Sequence, residues 1–364
     1  MITIIGAGPV GCYAASLLAE DFEVTVFEEH KTIGLPVQCT GIVTQEIYRY
    51  VPKRNNFVIN KTRDVRIFSS NGKHLKLKLE KPDLVINRTR FDNYFYRKAK
   101  KQGVKFVFNH RFIAVKRNNA LIKDLKSGKI KKIKFSYLIG ADGPRSEVAK
   151  STGITRKRKY FVGLQTIVKK KNSNIIDFYP LKHGFAWAVP ENKSKLRVGV
   201  ALSTNPQGCN KILKKLLRKY KGKVIERQGG LIPIFNPMAG IRKNNIFLTG
   251  DSAGFVKATT GGGLVQGLKS AEILAHTINN NLSYEAGIYL HLFPSLLLHL
   301  KTRNIMDSFS AKDWNQLIKE LNTKESKKAL QKVNRDKLFQ LLFKVAINKP
   351  ELIKHGLKHV RSLF

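Results

Sequence analysis

Ile2-Thr-Ile-Ile-Gly-Ala-Gly-Pro-Val-Gly11 is an apolar, β-branched run that breaks into glycines at positions 6, 8 and 11. The residues beyond it, Tyr13-Ala-Ala-Ser-Leu-Leu-Ala19, read as a helix, and Glu23-Val-Thr-Val-Phe27 reads as a second strand ending at Glu28. Strand, glycine turn, helix, strand and acid, in that order, make a dinucleotide-binding fingerprint. Gly6 permits the tight turn, Gly8 lets the backbone approach a pyrophosphate, and Gly11 lets the helix pack close to the strand. The N-terminus of the helix that follows attracts phosphate charge. Glu28, followed by Glu29, stands 22 positions after Gly6, where a carboxylate accepts hydrogen bonds from ribose hydroxyls. The same negative charge repels a 2′-phosphate, so the pattern favours FAD or NAD over NADP.

The chain of 364 residues has 67 Lys and Arg against 25 Asp and Glu, a net charge of +42. Its length predicts about two domains or one large one at roughly 150 residues each. An ordinary apolar fraction of 42% argues against disorder. Three cysteines, Cys12, Cys39 and Cys209, are too few and too scattered for a disulfide scaffold or a four-thiolate zinc site, and a reducing, cytoplasmic compartment is expected. Met1-Ile-Thr-Ile-Ile-Gly lacks the basic opening of a secretory signal, and Tyr289–Leu300, interrupted by His291, Pro294 and His299, is too short to span a bilayer.

Beyond Glu28 the regular strand-helix alternation stops. Lys31–Gly41 is a loop punctuated by glycine and proline, and Val65–Phe68 and Leu75–Leu79 alternate as strands with one wet face. A helix is expected over Arg90–Gln102, then strands at Val104–Phe108, Ala114–Val115, Leu121–Ile122 and Lys132–Leu138. Phe161–Leu202 is again rich in strands, and the chain after Gly263 is mostly helical. The expected fold class is α/β: a Rossmann-like FAD-binding domain of segments 1–60, 84–155 and 238–280, an interleaved β-sheet substrate domain of 61–83 and 156–237, and a helical C-terminal region, 281–364.

Two further motifs narrow the cofactor. Tyr137-Leu-Ile-Gly-Ala-Asp-Gly-Pro-Arg-Ser146 resembles the Gly-Ala-Asp-Gly-x-x-Ser motif of FAD-dependent oxidoreductases of the para-hydroxybenzoate hydroxylase type, and Asn244–Gly254 resembles their later Gly-Asp motif. Within that superfamily the chain resembles the geranylgeranyl reductase family, which includes archaeal enzymes that saturate the isoprenoid chains of membrane lipids. The resemblance rests on Gly34-Leu-Pro-Val-Gln-Cys-Thr-Gly41, Arg88-Thr-Arg-Phe-Asp92, Phe185-Ala-Trp-Ala-Val-Pro190 and Gly250–Gly263, and it covers roughly residues 1–275. It departs from the family at Val189, where a Phe is usual, and at Lys257-Ala258, where Asn-Pro is expected. The lost proline predicts a freer loop and Lys257 adds a cation.

The resemblance implies FAD as cofactor, contacted by Gly6, Gly8, Pro9, Gly11, Glu28, Glu29, Cys39, Arg88, Asp142, Gly250, Asp251, Gly262, Gly263 and Leu264. Asp251 would contact the ribityl and pyrophosphate region, and the amides of Gly261–Gly263 would face the flavin ring. Cys39 is either a small buried loop residue or, as the resemblance implies, lies on the substrate side of the flavin, where it or water protonates one carbon of a C=C bond while hydride reaches the other. Tyr179, Phe185, Trp187, Pro190 and Lys257 would line the pocket for a polyprenyl lipid. The aromatic residues among them serve equally well as sheet core. No second nucleotide fingerprint is visible, so reduction of the flavin calls for an external donor, NADPH or a ferredoxin-like carrier. His355 and His359 lack a third metal ligand within reach, and no metal site is expected.

Two other functions fit parts of this pattern. An FAD-dependent aromatic hydroxylase would share the fold, but many carry histidine where this chain has Gly254. A basic membrane- or nucleic-acid-binding protein on a vestigial nucleotide fold would explain the charge. Yet the basic clusters are dispersed, with no zinc-finger, RNP-like or helix-turn-helix pattern, and no nucleic-acid partner is expected. The charge suits instead an anionic lipid headgroup and a peripheral contact with an anionic membrane, for which Lys211–Tyr220 and Leu352–Phe364 are basic segments with an apolar face.

Overall fold

A computed structural model describes residues 1–155, 158–203 and 206–332. The expectations for His355, His359 and Leu352–Phe364 lie outside the described residues. The chain forms two compact units, each drawn from three separate segments.

The first unit comprises Met1–Val37, Arg88–Lys159 and Leu231–Leu297. Its main sheet runs in the order Arg242–Lys243, Ile246–Leu248, Tyr137–Gly140, Ile2–Ile5, Val24–Glu28, Lys105–Phe108. Ile2–Ile5 is parallel to both neighbours, with Ile2 level with Tyr137 on one side and Val24 on the other. All four of its residues are buried, which is why the run is apolar without alternation. Helices Pro9–Leu18, Arg88–Lys101 and Leu264–Asn279 pack together in this unit.

The single strand expected over Lys132–Leu138 is two strands in different sheets. Ile130–Lys134 belongs to a three-stranded antiparallel sheet with His110–Lys116 and Asn119–Asp124, whereas Tyr137–Gly140 enters the parallel sheet. The break is physical: the lysine-rich half is wet, the Leu138-Ile139-Gly140 half is buried, and Phe135 turns inward between them.

The second unit comprises, among the described residues, Gln38–Asn87, Tyr160–Gly230 and 298–332. The expected division put residues 38–60 with the FAD-binding segments; in the structure Ile42–Val43 pairs with Val85 and Leu84, and the Asn87 amide bonds the Phe57 carbonyl at 2.8 Å. The eight-stranded sheet is ordered Lys223–Pro233, Tyr160–Lys169, Lys195–Leu202, Gly184–Asn192, Ile175–Leu181, Val58–Phe68, His74–Ile86, Ile42–Val43.

Helix Pro206–Tyr220 lies on one face of that sheet. Its Cys209, Leu213 and Leu216 are buried against Val168, Ala186, Val198 and Val200. Each buried leucine contributes about 1.5–3 kcal/mol, so this apolar stripe is committed to the sheet. The expected apolar face is therefore not available to a membrane, and the exposed face is the basic one, with Lys211, Lys214, Lys215 and Arg218. At the C-terminal end, Ile318 and Leu330 pack on Leu75 and Leu77.

Candidate functional site

The glycine turn is built by contacts that exclude side chains on one side and leave space on the other. Gly6 has φ +101°, and a Cβ there would lie 2.4 Å from the Ala141 carbonyl oxygen. A Cβ on Gly11 would lie 2.1 Å from the Gly6 carbonyl oxygen, which fixes how closely the helix approaches the turn. A Cβ on Gly8 would meet nothing within 4 Å. Gly8 caps the helix with no side-chain bond, and Pro9 is its first residue, where the missing N–H costs nothing. Glu28 is held at this turn: Oε2 accepts the Ala7 amide at 2.8 Å, and Oε1 meets the His30 amide at 2.9 Å and ring Nδ1 at 2.6 Å. Glu29 is half-exposed and pairs with Arg111 at 2.7 Å.

The three sequence motifs meet here. Ala141 touches both Gly6 and Gly11, while a Cβ on Gly250 or Gly267 would lie 3.1 or 2.6 Å from the Val10 side chain. Asp142 turns toward helix Glu147–Thr152, where Oδ2 accepts the Val148 amide at 3.1 Å. Burial raises its pKa, and the Ser146 hydroxyl and nearby amides pull it back. Burial also raises the Asp251 carboxyl, against the pull of Arg88 and Arg158. Arg158 donates to the carbonyls of Asp251, at 3.2 Å, and Ser252. Arg88 is forked onto Asp92, with both bonds at 3.0 Å. Gly263 is the cap of helix Leu264–Asn279, and a Cβ there would lie 2.8 Å from Asp251 Oδ1.

The expected freer loop at Lys257-Ala258 is a closed turn. The Lys257 amide bonds the Gly262 carbonyl at 3.2 Å, and its carbonyl accepts the Gly261 amide at 2.9 Å. Lys257 and Ala258 are both buried, and a Cβ on Gly262 would press on Lys257 Cε at 2.8 Å. Two backbone bonds and a packed stem do what the absent proline would have done.

These residues fit FAD. Gly8 leaves open space at a helix N-terminus that would suit a pyrophosphate, Glu28 at the same turn is a carboxylate that would suit a ribose, and Asp251 is a buried carboxyl beside a helix end without a side-chain cap. The cost of Asp251 without a ligand is testable. For an acid whose folded pKa is raised, the stability contribution is intact below the unfolded carboxylate range and is lost as pH rises through the folded value. Asp251→Asn is therefore expected to raise the melting temperature of the flavin-free protein at neutral pH, converge with wild type toward about pH 4, and weaken FAD binding. Thermal scans across that range check it, and a wild-type advantage at neutral pH would contradict it.

In the second unit, strand alternation separates the expected pocket residues. Phe178 is level with Trp187 and Pro180 with Phe185, which puts Phe178, Phe185 and Trp187 on one face, with Phe161 at 5.7 Å from Phe185 between ring centres. Trp187 Nε1 donates to Gln165 Oε1 at 3.0 Å, and Gln165 Nε2 donates to Gln228 Oε1 at 2.6 Å. The indole lies flat on Gly199, where a Cβ would come within 2.3 Å of the ring. Tyr179 and Pro190 fall on the opposite face, toward helix Pro206–Tyr220. Tyr179 stacks on Phe68 at 4.6 Å, its hydroxyl lies 2.7 Å from that of Tyr220, and burial pushes its pKa up to about 12. Tyr179 and Pro190 therefore lie on the sheet face opposite Phe185 and Trp187, which are themselves buried beside Phe161.

Cys39 is half-buried and its Sγ accepts the Gly41 amide at 3.3 Å, whereas Cys12 and Cys209 are buried. Its loop is pinned by Arg197, a buried residue of the aromatic face that donates to the carbonyls of Thr40 and, at 3.2 Å, Ile86, and is held by Glu191 at 2.9 Å. Arg197, Glu191 and Gln165 escaped the sequence reading. The available signal was an arginine at an inward position of the apolar run Leu196–Leu202. Among the described residues no cluster of His, Cys, Asp and Glu could hold a metal.

Residues 1–175 match the FAD binding domain family. Digeranylgeranylglycerophospholipid reductase 3 of Methanosphaera stadtmanae is 26% identical, over 93% of this chain and 97% of its own length. The digeranylgeranylglycerophospholipid reductase of Methanocaldococcus jannaschii is 25% identical, over 97% and 96%. Among solved structures, a geranylgeranyl bacteriochlorophyll reductase-like protein from Thermoplasma acidophilum superposes with a TM-score of 0.85 at 20% identity, covering 98% of both chains.

Proposed function

We propose that this FAD-dependent oxidoreductase of the geranylgeranyl reductase type saturates C=C bonds in the geranylgeranyl chains of isoprenoid membrane lipids or their precursors. The observation that carries the reading is the meeting of three FAD motifs at Val10 and Ala141 in a chain whose relatives, named for this reduction, align over nearly its whole length.

When bound and reduced by its donor, FAD would supply the hydride. The chain's own residues hold and screen: Gly8 and the helix it caps receive the pyrophosphate, Glu28 the ribose, and Asp251 the ribityl hydroxyls. Phe161, Phe178, Phe185 and Trp187 present an apolar wall to the polyprenyl chain, with Gln165 fixing the indole. Cys39 supplies a proton at Sγ to the carbon that does not take hydride. A hydroxylase is disfavoured at Gly254, where φ is +76° and a histidine would be strained. The electron donor is external, NADPH or a ferredoxin-like carrier. No described helix is long and apolar enough to cross a membrane; the contact with an anionic bilayer is peripheral and electrostatic, through the exposed face of helix Pro206–Tyr220.

The test is anaerobic reduction of the purified flavoprotein with dithionite, then incubation with digeranylgeranylglycerophospholipid. Product mass should rise by two hydrogens per reduced bond. A protein without flavin, or one that turns over only with O₂, would sink the proposal. In the same assay Cys39→Ala is expected to retain FAD and lose turnover by about 100-fold. An undiminished rate would mean that water provides the proton.

A further inference from the structure

The face of the second-unit sheet opposite the Trp187 wall carries a cleft of about 440 Å³ lined by Arg66, Lys170, Lys171, Ser173, Ile175 and Tyr220, among others. We propose that this cleft is a binding site for a phosphate ester, either the headgroup of an anionic lipid or a free phosphomonoester.

Arg66 is held from beneath. Asp177, 2% exposed, takes the guanidinium side-on, Nε to Oδ1 at 2.7 Å and Nη2 to Oδ2 at 2.8 Å. Nη1 has no partner among the described residues, so the fork is oriented from beneath with one edge left for a ligand. The Asp177 charge is used up from below as well, because Oδ2 accepts the Tyr220 hydroxyl at 2.5 Å. Lys219 extends that network, donating to the Tyr179 hydroxyl at 2.8 Å with its ammonium 4.1 Å from the centre of the Phe68 ring.

The remaining cations are uncompensated. Lys170 and Lys171 on the rim form no ion pair among the described residues, and the one carboxylate in the cleft is already engaged by Arg66 and Tyr220. The neighbouring helix Pro206–Tyr220 carries Lys211, Lys214, Lys215, Arg218 and Lys219 and no acid, adding to the same field. A planar fork, two ammonium groups and the Ser173 hydroxyl suit the several oxygens of a phosphate. Ile175 and Leu196 give the cleft an apolar floor for the carbon part of an ester.

This inference is independent of the reductase reading, and its test leaves the flavin untouched. Glycerol 3-phosphate is titrated into the holoprotein by calorimetry, and flotation is measured with phosphatidylcholine vesicles with and without phosphatidylglycerol. Two variants accompany wild type: Lys170→Ser with Lys171→Ser, which changes only the rim, and Arg66→Lys, which keeps the charge and loses the fork. Each is required to show the wild-type flavin spectrum and circular dichroism. Saturable binding that weakens by about tenfold or more in the rim variant and by a similar factor in Arg66→Lys supports the site. If the soluble ester binds but vesicle binding is the same in all variants, the ligand is a free phosphomonoester. If vesicle binding falls with the variants, it is a lipid headgroup. No variant-sensitive binding in either arm overturns the proposal.

Discussion

Gly8→Asp is expected to purify as a folded, colourless protein. An added Cβ at Gly8 meets no atom within 4 Å, so the backbone and packing tolerate the change. The carboxylate, however, would stand where the pyrophosphate approaches the helix N-terminus. Placing like charges together there costs several kcal/mol, which lowers FAD affinity by about 100-fold or more. The flavin absorbance ratio of the purified protein and a fluorescence titration with added FAD measure this, and thermal unfolding of the flavin-free forms should agree between variant and wild type. Gly6→Ala should behave in the opposite way. Its Cβ would collide with the Ala141 carbonyl from a positive φ, so the loss there is of stability, about 2 kcal/mol or more, whether or not FAD is present. A Gly8→Asp protein that keeps its yellow colour would place the pyrophosphate elsewhere.

Arg303→Met should destabilise the second unit by about 2–5 kcal/mol, because two backbone carbonyls lose their buried donor at about 1–3 kcal/mol each. Arg303 is 2% exposed and is the largest fully buried side chain among the described residues. Its Nη1 donates to the Gly184 carbonyl at 3.0 Å, and Nη2 donates to the Leu181 carbonyl at 3.1 Å and to Asp307 at 2.6 Å. Asp307 in turn accepts the His183 amide at 2.7 Å, and His183 holds φ +61° at the tip of the hairpin. Methionine fills much of the volume and satisfies none of these acceptors. Chemical denaturation should show the loss, and hydrogen exchange should show faster opening of the hairpin amides around His183. A change within 1 kcal/mol, of the size a surface substitution gives, would mean that the helix end is held by packing alone.

The FAD-binding half of the molecule was legible in the sequence because its signals are local. Gly6, Gly8, Gly11 and Glu28 fall within one strand-helix-strand unit, and the spacing itself encodes the turn. The second unit was legible only as strands. Tyr179 and Phe185 are six positions apart but belong to two arms of one hairpin, so parity along the chain does not tell which face each takes; only the pairing of Phe178 with Trp187 does. The apolar stripe of Pro206–Tyr220 was equally visible, but an amphipathic helix does not announce whether a sheet or a bilayer covers it. Arg197 was hidden for a related reason. Its acceptors, Thr40 and Ile86, are more than 100 residues away in the chain, and a charge in an apolar strand is intelligible only once they are in place.

The position of Ile2–Ile5 in the parallel sheet bears on how the protein is made. One neighbour, Val24–Glu28, leaves the ribosome soon after it, but the other, Tyr137–Gly140, follows more than 100 residues later, and that strand then waits for Ile246–Leu248. Through most of translation the nascent chain therefore carries an apolar strand with one unsatisfied edge, the kind of surface that recruits chaperones or other nascent chains. A premature stop before Ile246 would release a polypeptide whose first strands are correct and whose sheet cannot close. Yield in a heterologous host should accordingly depend more on the pace of synthesis and on chaperone supply than on the stability of the finished fold.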